Sequence, residues 1–264
     1  MIELIQIFII AIAQGIGEFL PISSSGHNAV INHLFTRFGE PLTEDSAEFV
    51  RLNILLHVGS LIAVLIVFRQ RIINMLGKDW RLIPKLIVAT IPAGVVGFLI
   101  HEHAPWVEES LPLISGCFIV TGLLLLYTLR LPEGEKTTST MMWRDAIIIG
   151  CSQAFAIFPG ISRSGTTIVA GLCCRLKREE AAAFSFILSI PVIAGGGLLD
   201  WLKYDSSKQG GIPEWLLLTG ASVSCVVGIL ALVFLLDWLK KGKLWYFALW
   251  VFVMSPLTLA LYLS

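Results

Sequence analysis

Long apolar segments recur along the chain, and short polar links separate them. Six of these segments approach the length of a helix that crosses a membrane, which takes roughly 20 residues. They cover approximately residues 54–68, 86–100, 113–129, 184–201, 215–236 and 244–263. None of them shows the alternation of apolar and polar positions that is typical of a membrane β-barrel. The pattern predicts an all-α protein with about six membrane-spanning helices.

Two further apolar segments, approximately 2–35 and 146–174, are interrupted by proline, glycine and serine. The interruptions read GEFLPISSSGH and FPGISRSGTT. Lipid offers no hydrogen bonds to the backbone groups that such breaks set free, so broken backbone at membrane depth is buried in protein or lines a wet cavity. The two segments therefore predict a functional site.

The two interrupted segments resemble each other when the sequence is shifted by 139 positions. Six of the thirteen positions from 14 to 26 are then identical: Gln14 and Gln153, Phe19 and Phe158, Ile22 and Ile161, Ser23 and Ser162, Ser25 and Ser164, Gly26 and Gly165. We interpret this as an internal duplication within a single membrane domain, 1–264, with halves of approximately 1–130 and 131–264. Corresponding broken helices in two repeats indicate a site at the repeat interface, near the bilayer midplane.

Lysine and arginine are concentrated in four links, which hold 14 of the 19 basic residues and lie at 69–85, 130–144, 175–178 and 240–243. The positive-inside rule places these links in the cytoplasm. The link 101–112 carries glutamates without lysine or arginine, so we expect it outside. On this count the second interrupted segment is re-entrant from the cytoplasm and the first from the outside, which makes the repeat inverted.

The composition agrees with a membrane protein. Apolar residues make up 56% of the chain and charged residues 14%, with a mean hydropathy of +0.81, whereas about a quarter of the residues in soluble domains are charged. The formal net charge is zero, and no basic run is interleaved with aromatic residues as in nucleic-acid grooves. We expect a lipid bilayer and no nucleic acid as partners. The sequence leaves a homo-oligomer open.

The first interrupted segment places reactive groups in apolar surroundings. Gln14 and Glu18 are four residues apart and share one helix face. After the break at Pro21 come Ser23, Ser24, Ser25 and His27. Ionisable groups within apolar membrane segments are costly and usually functional. We expect an acid, a base and a nucleophile among these residues, although small residues such as serine also serve close packing between membrane helices.

The second interrupted segment carries one charge, Arg163, with hydroxyl groups around it at Ser162, Ser164, Thr166 and Thr167. A guanidinium group near the start of a helix, together with backbone N–H groups, is suited to binding phosphate. The two segments facing each other would then bind a phosphate and transfer it. The alternative is a structural ion pair between Glu18 and Arg163, which would not exclude catalysis.

The stretches QGIGEFLPISSSGH and PGISRSGTT resemble the two signature motifs of the bacitracin-resistance undecaprenyl pyrophosphate phosphatase family. The order of spans and interrupted segments is similar over essentially the whole chain. The resemblance implies hydrolysis of undecaprenyl pyrophosphate, a polyprenyl lipid, to the monophosphate and inorganic phosphate. It also implies a site open to the outer face of the bacterial plasma membrane, recycling of the lipid carrier of cell-wall synthesis, and bacitracin resistance.

By position, the motif residues of that family fall on Gln14, Glu18, Ser24, His27, Ser162, Arg163 and Thr167. Our candidate catalytic residues are therefore Glu18, Ser24, His27 and Arg163. Our candidate substrate-binding residues are Gln14, Ser23, Ser25, Ser162, Ser164 and Thr167. Many members of the family carry Glu at the position of Gln14. Because an amide is no base and a weaker metal ligand, the role of general base passes to Glu18 or His27.

Either Ser24 or His27 attacks the terminal phosphorus. A serine hydroxyl needs a partner base, and His27, three residues further on, is a candidate. We expect Mg²⁺ or Ca²⁺ held by Glu18 and the substrate, because both ions prefer oxygen ligands. The sequence leaves open whether the ion binds to the protein or arrives with the substrate.

A polyprenyl-phosphate transporter or flippase is the alternative function, because inverted repeats with broken helices also occur in transporters. A carrier needs binding groups alone, whereas this chain adds a nucleophile and a base beside an arginine, which favours a hydrolase. His57 lies in an apolar span, and we interpret it as a hydrogen-bonded core residue outside the site.

The topology can be tested with cysteine labelling. A cysteine introduced at Glu108 is expected to react with a membrane-impermeant reagent from the outside, and one at Lys78 is not, because the basic links face the cytoplasm. The reverse labelling pattern would overturn the predicted orientation.

Overall fold

A computed structural model describes residues 2–39, 46–108, 110–203 and 212–264. Its helices, numbered α1 to α11, are Ile2–Gly17, Ser24–Arg37, Ser46–Val67, Arg69–Leu76, Leu82–His103, Leu111–Tyr127, Trp143–Phe155, Arg163–Cys173, Arg178–Lys203, Glu214–Lys240 and Tyr246–Leu263. Two short 3-10 turns, Pro105–Glu108 and Thr128–Arg130, add to them, and these ranges contain no β-strand. Parts of two links predicted outside, residues 40–45 and 109, lie beyond the described residues.

Six of these helices are long and apolar enough to cross a membrane. They are Glu48–Val67, Leu82–His103, Leu111–Arg130, Arg178–Leu199, Glu214–Lys240 and Tyr246–Leu263. Each overlaps one predicted span, so the prediction of a helical protein with six spans is confirmed. Large apolar side chains such as Leu218, Leu230 and Val253 are exposed on their surfaces, as suits contact with lipid.

The two interrupted segments fold as helical hairpins. α1 and α2 flank a turn at residues 18–23, and α7 and α8 flank a turn at residues 156–162. The four helices have 16, 14, 13 and 11 residues, fewer than the roughly 20 that a crossing takes. The breaks predicted from the proline, glycine and serine runs are thus present. That the hairpins are re-entrant stays a prediction.

Each hairpin packs against a helix from the other half of the chain. α1 lies on α10, and α7 lies on α5. Both contacts depend on glycine: a Cβ atom on Gly15 would lie 2.8 Å from the Ser224 carbonyl oxygen, and one on Gly150 would lie 2.6 Å from that of Ala89. Small residues therefore set the close spacing of these helices. The two halves are interleaved, and the hairpin turns meet in the interior.

The link between α6 and α7 is fixed to the base of the second hairpin. Backbone hydrogen bonds join Lys136 to Arg175 and Lys177, and the Lys136 ammonium lies 2.9 Å from a carboxylate oxygen of Asp145. Burial alone would raise the pKa of Asp145, but the hydrogen bonds from the Met142 N–H and Lys136, with the nearby positive charge, lower it below its usual value. The ionised carboxylate anchors the start of α7.

Gly59 in α3 tests the helix packing, because a Cβ atom there would lie 2.2 Å from the Ala221 carbonyl oxygen in α10. We expect Gly59→Ala to push α3 and α10 apart, to cost about 1–3 kcal/mol of stability, and to lower the midpoint of thermal unfolding in detergent. Gly94→Ala is the matched control, because a Cβ atom there meets nothing within 4 Å and alanine favours the helix. Equal midpoints for the two variants would contradict the packing.

Candidate active site

The turns of the two hairpins cross inside the bundle. Gly26 lies against Gly160, whose nitrogen would be 2.9 Å from a Cβ atom on Gly26. Pro21 lies against Gly165, because a Cβ atom added to Gly165 would be 3.1 Å from the Cβ atom of Pro21. Gly160 has a φ of 93°, which glycine adopts without strain. The shift of 139 positions pairs Pro21 with Gly160 and Gly26 with Gly165, so the two contacts correspond.

Ser23 joins the two turns. Its hydroxyl oxygen accepts hydrogen bonds from the N–H groups of Gly26 (3.3 Å) and Gly160 (3.0 Å). It therefore caps α2 and holds the opposite turn at once. Its φ of 71° is strained for a residue other than glycine and persists only where the surroundings fix it. The exposed Ser25 lies beside it, with 3.3 Å between the two hydroxyl oxygens.

Three hydroxyl groups of the second segment, those of Ser162, Ser164 and Thr167, are buried and tied into the fold. Ser162 caps α8 by accepting from a backbone N–H of its first turn at 3.1 Å, and its hydroxyl lies 3.2 Å from that of Ser164. Thr167 donates to the Arg163 carbonyl oxygen at 2.8 Å and lies 2.6 Å from the Ser185 hydroxyl of α9. Each of these three candidate substrate-binding hydroxyls thus has a structural partner.

Three candidate residues, Gln14, Ser24 and Arg163, surround the buried Glu18 carboxylate. Its Oε2 accepts a hydrogen bond from the Ser24 hydroxyl at 2.9 Å and another from the Gln14 amide at 3.1 Å. Its Oε1 accepts from Arg163 Nη2 at 2.5 Å. The side-chain oxygen of Gln14, Oε1, in turn accepts a hydrogen bond from the side-chain amide of Asn28 at 2.9 Å. The arrangement joins a hydroxyl, a carboxylate and a guanidinium group from the two hairpins.

Arg163 has a donor left over for a ligand. While its Nη2 bonds Glu18, its Nη1 is buried and has no hydrogen-bond partner within the described residues. Arg163 is also the first residue of α8, and Ser24 is the first residue of α2. The N-termini of two helices therefore lie at this cluster, and each provides the positive end of a helix dipole and N–H groups that the helix itself does not bond. Such a setting is suited to a phosphate group.

His27 has fixed partners on both ring nitrogens. Its Nδ1 lies 2.8 Å from the Ser23 carbonyl oxygen, and its Nε2 lies 2.8 Å from Trp250 Nε1. A carbonyl can only accept and an indole N–H can only donate, so His27 is neutral with its proton on Nδ1. Its ring also packs edge-on against Phe118. The predicted pairing of His27 with the Ser24 hydroxyl is not formed, because that hydroxyl donates to Glu18.

Two residues of this region, Trp250 and His57, were not predicted from the sequence. Trp250 is half exposed on α11, so in sequence it resembles any lipid-facing aromatic residue. His57 was assigned to the core, yet its Nε2 lies 3.9 Å from Glu18 Oε2. The available signal was its pairing with Asn53 one helical turn earlier, since two polar residues on one face of an apolar span indicate a cavity.

The side chains around Glu18 do not fit a resident divalent cation. Oε2 already accepts from Ser24 and Gln14, and Oε1 faces the positive charge of Arg163. Across the described part of the chain, no group of three or more histidine, cysteine, aspartate or glutamate side chains is arranged to hold a metal. Mg²⁺ and Ca²⁺ need several oxygen ligands, and Glu18 alone does not supply them.

Comparison with known proteins gives consistent matches over nearly the whole chain. The family model described as bacitracin resistance protein BacA matches residues 7–257. A protein of Rhodopirellula baltica named undecaprenyl-diphosphatase is 43% identical over 254 residues, which cover 95% of each chain. Proteins with the same name from Alteromonas mediterranea and Carboxydothermus hydrogenoformans are 40% and 36% identical, covering 90% and 97% of this chain and 91% and 96% of their own. The chain therefore belongs to the bacitracin resistance protein BacA family, as its two motifs predicted.

Proposed function

We propose that this membrane protein hydrolyses undecaprenyl pyrophosphate to undecaprenyl phosphate and inorganic phosphate. Arg163 carries the proposal, because it holds Glu18 with one nitrogen and keeps the other for an anion beside the Ser24 hydroxyl. A nucleophile, a base and a preorganised cation are what phosphoryl transfer needs. The relatives named undecaprenyl-diphosphatase support this choice of substrate. Hydrolysis recycles the lipid carrier of cell-wall synthesis, and bacitracin resistance follows from the family. No contact among the described residues of the site favours the transporter alternative.

In the first step Arg163 and the N-termini of α2 and α8 bind the terminal phosphate. The Ser24 oxygen forms a bond to the terminal phosphorus while its proton moves to Glu18, its hydrogen-bond partner at 2.9 Å. The bond from that phosphorus to the bridging oxygen breaks, and its electron pair leaves with undecaprenyl phosphate. The positive groups stabilise the charge that develops on the phosphoryl oxygens.

His27 acts as a positioning residue in this scheme. Its Nδ1–H holds the carbonyl oxygen of Ser23, the residue directly before the nucleophile, and Trp250 fixes its ring. With both nitrogens engaged, it offers no lone pair to phosphorus or to the Ser24 proton. We therefore assign the attack to Ser24 and the role of base to Glu18.

The site is open to the outer face in our proposal. The hairpin helices are too short to cross, and the basic links indicate opposite entry sides for the two hairpins. The interleaved packing of α1 on α10 and α7 on α5 supports an inverted repeat. The crossed turns then lie near the midplane, where a lipid-borne pyrophosphate reaches Ser24 and Ser25 while its prenyl chain stays between helices.

Mg²⁺ or Ca²⁺ enters with the pyrophosphate in our proposal, since the Glu18 cluster does not fit a resident ion. Bound to the substrate, such an ion neutralises part of the phosphate charge.

This origin of the ion is tested by calorimetric titration of the substrate-free protein with Mg²⁺ or Ca²⁺. We expect no saturable binding at the site, because the Gln14 amide and Arg163 occupy the Glu18 oxygens. Gln14→Glu is expected to create Ca²⁺ binding, because it replaces a donor with a second carboxylate. Saturable binding by the wild type that is lost in Glu18→Gln would show that Glu18 itself holds the ion.

The activity is tested by the release of inorganic phosphate from undecaprenyl pyrophosphate, with purified protein in detergent and Mg²⁺ present. We expect Arg163→Ala to lower the rate by at least about 100-fold, because it removes a preorganised donor. The rate of Arg163→Lys should lie between those of the wild type and Arg163→Ala, because lysine keeps the positive charge but lacks the paired N–H donors of a guanidinium group. Arg81→Ala, which changes an exposed arginine, is the control. Bound substrate without release by the wild type would favour a lipid carrier.

A further inference from the structure

His57 lies in the middle of the membrane-spanning part of α3, Glu48–Val67, with its side chain 38% exposed. Its Nδ1 lies 2.8 Å from the Asn53 carbonyl oxygen. Because a carbonyl only accepts, the proton of a neutral ring is on Nδ1 and Nε2 keeps its lone pair. That Nε2 faces Glu18 Oε2 at 3.9 Å, and the same oxygen accepts from Ser24.

The distance of 3.9 Å is too long for a direct hydrogen bond and is of the size that a water molecule bridges. An imidazole at mid-span is costly against lipid, and its ring nitrogen points at the reactive carboxylate. Asn53, on the same face of α3, is also partly exposed. His57 and Ser24 therefore meet at the same carboxylate oxygen of Glu18.

We propose that His57 is the base of the second half of the reaction, the hydrolysis of phosphorylated Ser24. This inference rests on the proposed function. It follows from the state of the site after the first step. Glu18 then carries the Ser24 proton and is no base, and the Nε2 of His27 is occupied by Trp250. His57 Nε2 keeps its lone pair and faces the Glu18 oxygen to which Ser24 is hydrogen-bonded.

In this step the oxygen of a water molecule forms a bond to the phosphorus of phosphoserine, and the water gives one proton to His57 Nε2. The bond between phosphorus and the Ser24 oxygen breaks, and that oxygen takes back the proton from Glu18. Inorganic phosphate leaves, and the partly exposed His57 gives its proton to solvent water. Glu18, Ser24 and His57 are then as they were at the start.

His57→Ala separates the two half-reactions. Mixed with undecaprenyl pyrophosphate and Mg²⁺, the variant should quickly release about one undecaprenyl phosphate per protein molecule. It should then turn over at least about 100-fold more slowly than the wild type, the usual effect of losing a general base. Mass spectrometry should find a phosphoryl group on the peptide that contains Ser24. Added imidazole should restore turnover, which a purely structural role of His57 would not predict.

His57→Gln keeps a hydrogen-bonding group without a base, so phosphorylated Ser24 should accumulate in it as well. His33→Ala, which removes an exposed histidine of α2, should behave like the wild type. Thermal unfolding in detergent reports whether each variant is folded.

Wild-type turnover in folded His57→Ala or His57→Gln, with no phosphorylated Ser24, would overturn the proposal while leaving the hydrolase intact. If a folded variant does not release the first equivalent of undecaprenyl phosphate quickly, the proposal is overturned too, because His57 would then act before phosphoryl transfer to Ser24. Absence of phosphate release from the wild type would instead remove the proposed function, and this inference with it.

Discussion

The ion pair between Glu18 and Arg163 is the constraint on which the rest of the site depends. Each charge alone would be costly inside a membrane protein, and removing one partner leaves the other uncompensated. The two residues lie 145 positions apart in sequence, on the turns of different hairpins. The pair forms only when both turns are broken at the right place and cross each other. Folding of the two halves and assembly of the catalytic groups are therefore the same event.

The broken turns impose a second constraint, which divides the serine residues of the motifs between two kinds of work. N–H groups at the start of α2 and α8 need acceptors, because lipid supplies none. Ser23 and Ser162 supply them as caps, and Ser23 also holds the Gly160 N–H of the opposite turn. Ser24 is left to donate to Glu18. In the proposed mechanism, this motif rich in hydroxyl groups contains one nucleophile, Ser24, surrounded by residues that keep its backbone in place.

Much of this arrangement could be predicted from the sequence, because it rests on local signals. Apolar length marked the six spans, and the proline, glycine and serine runs marked the hairpin turns. The pairing of Glu18 with Arg163 was considered from the sequence as the structural alternative to catalysis, because ionisable groups in apolar segments are costly when unpaired.

The remaining features depend on which way a side chain turns in the assembled bundle, and no local pattern encodes that. His27 was expected beside Ser24 from its spacing along α2, but its ring faces Trp250, which is 223 residues away. His57 was assigned to the core as a single histidine in an apolar span, and its pairing with Asn53 on one face of that span indicates a cavity but not which group faces it. Only the packing of α3 against the first hairpin brings its Nε2 towards Glu18.

Gln14 shows how charge is balanced during the reaction. An acid at that position would put two carboxylates side by side against one guanidinium, and a cation or a proton would have to compensate. The amide keeps the site neutral, with Glu18 against Arg163. In the proposed mechanism, the proton of the attacking Ser24 neutralises Glu18, and Arg163 loses its anionic partner at the moment when negative charge grows on the phosphoryl oxygens. The guanidinium group then interacts less with Glu18 and more with the phosphoryl oxygens of the transition state. Binding that is stronger in the transition state than in the ground state lowers the barrier.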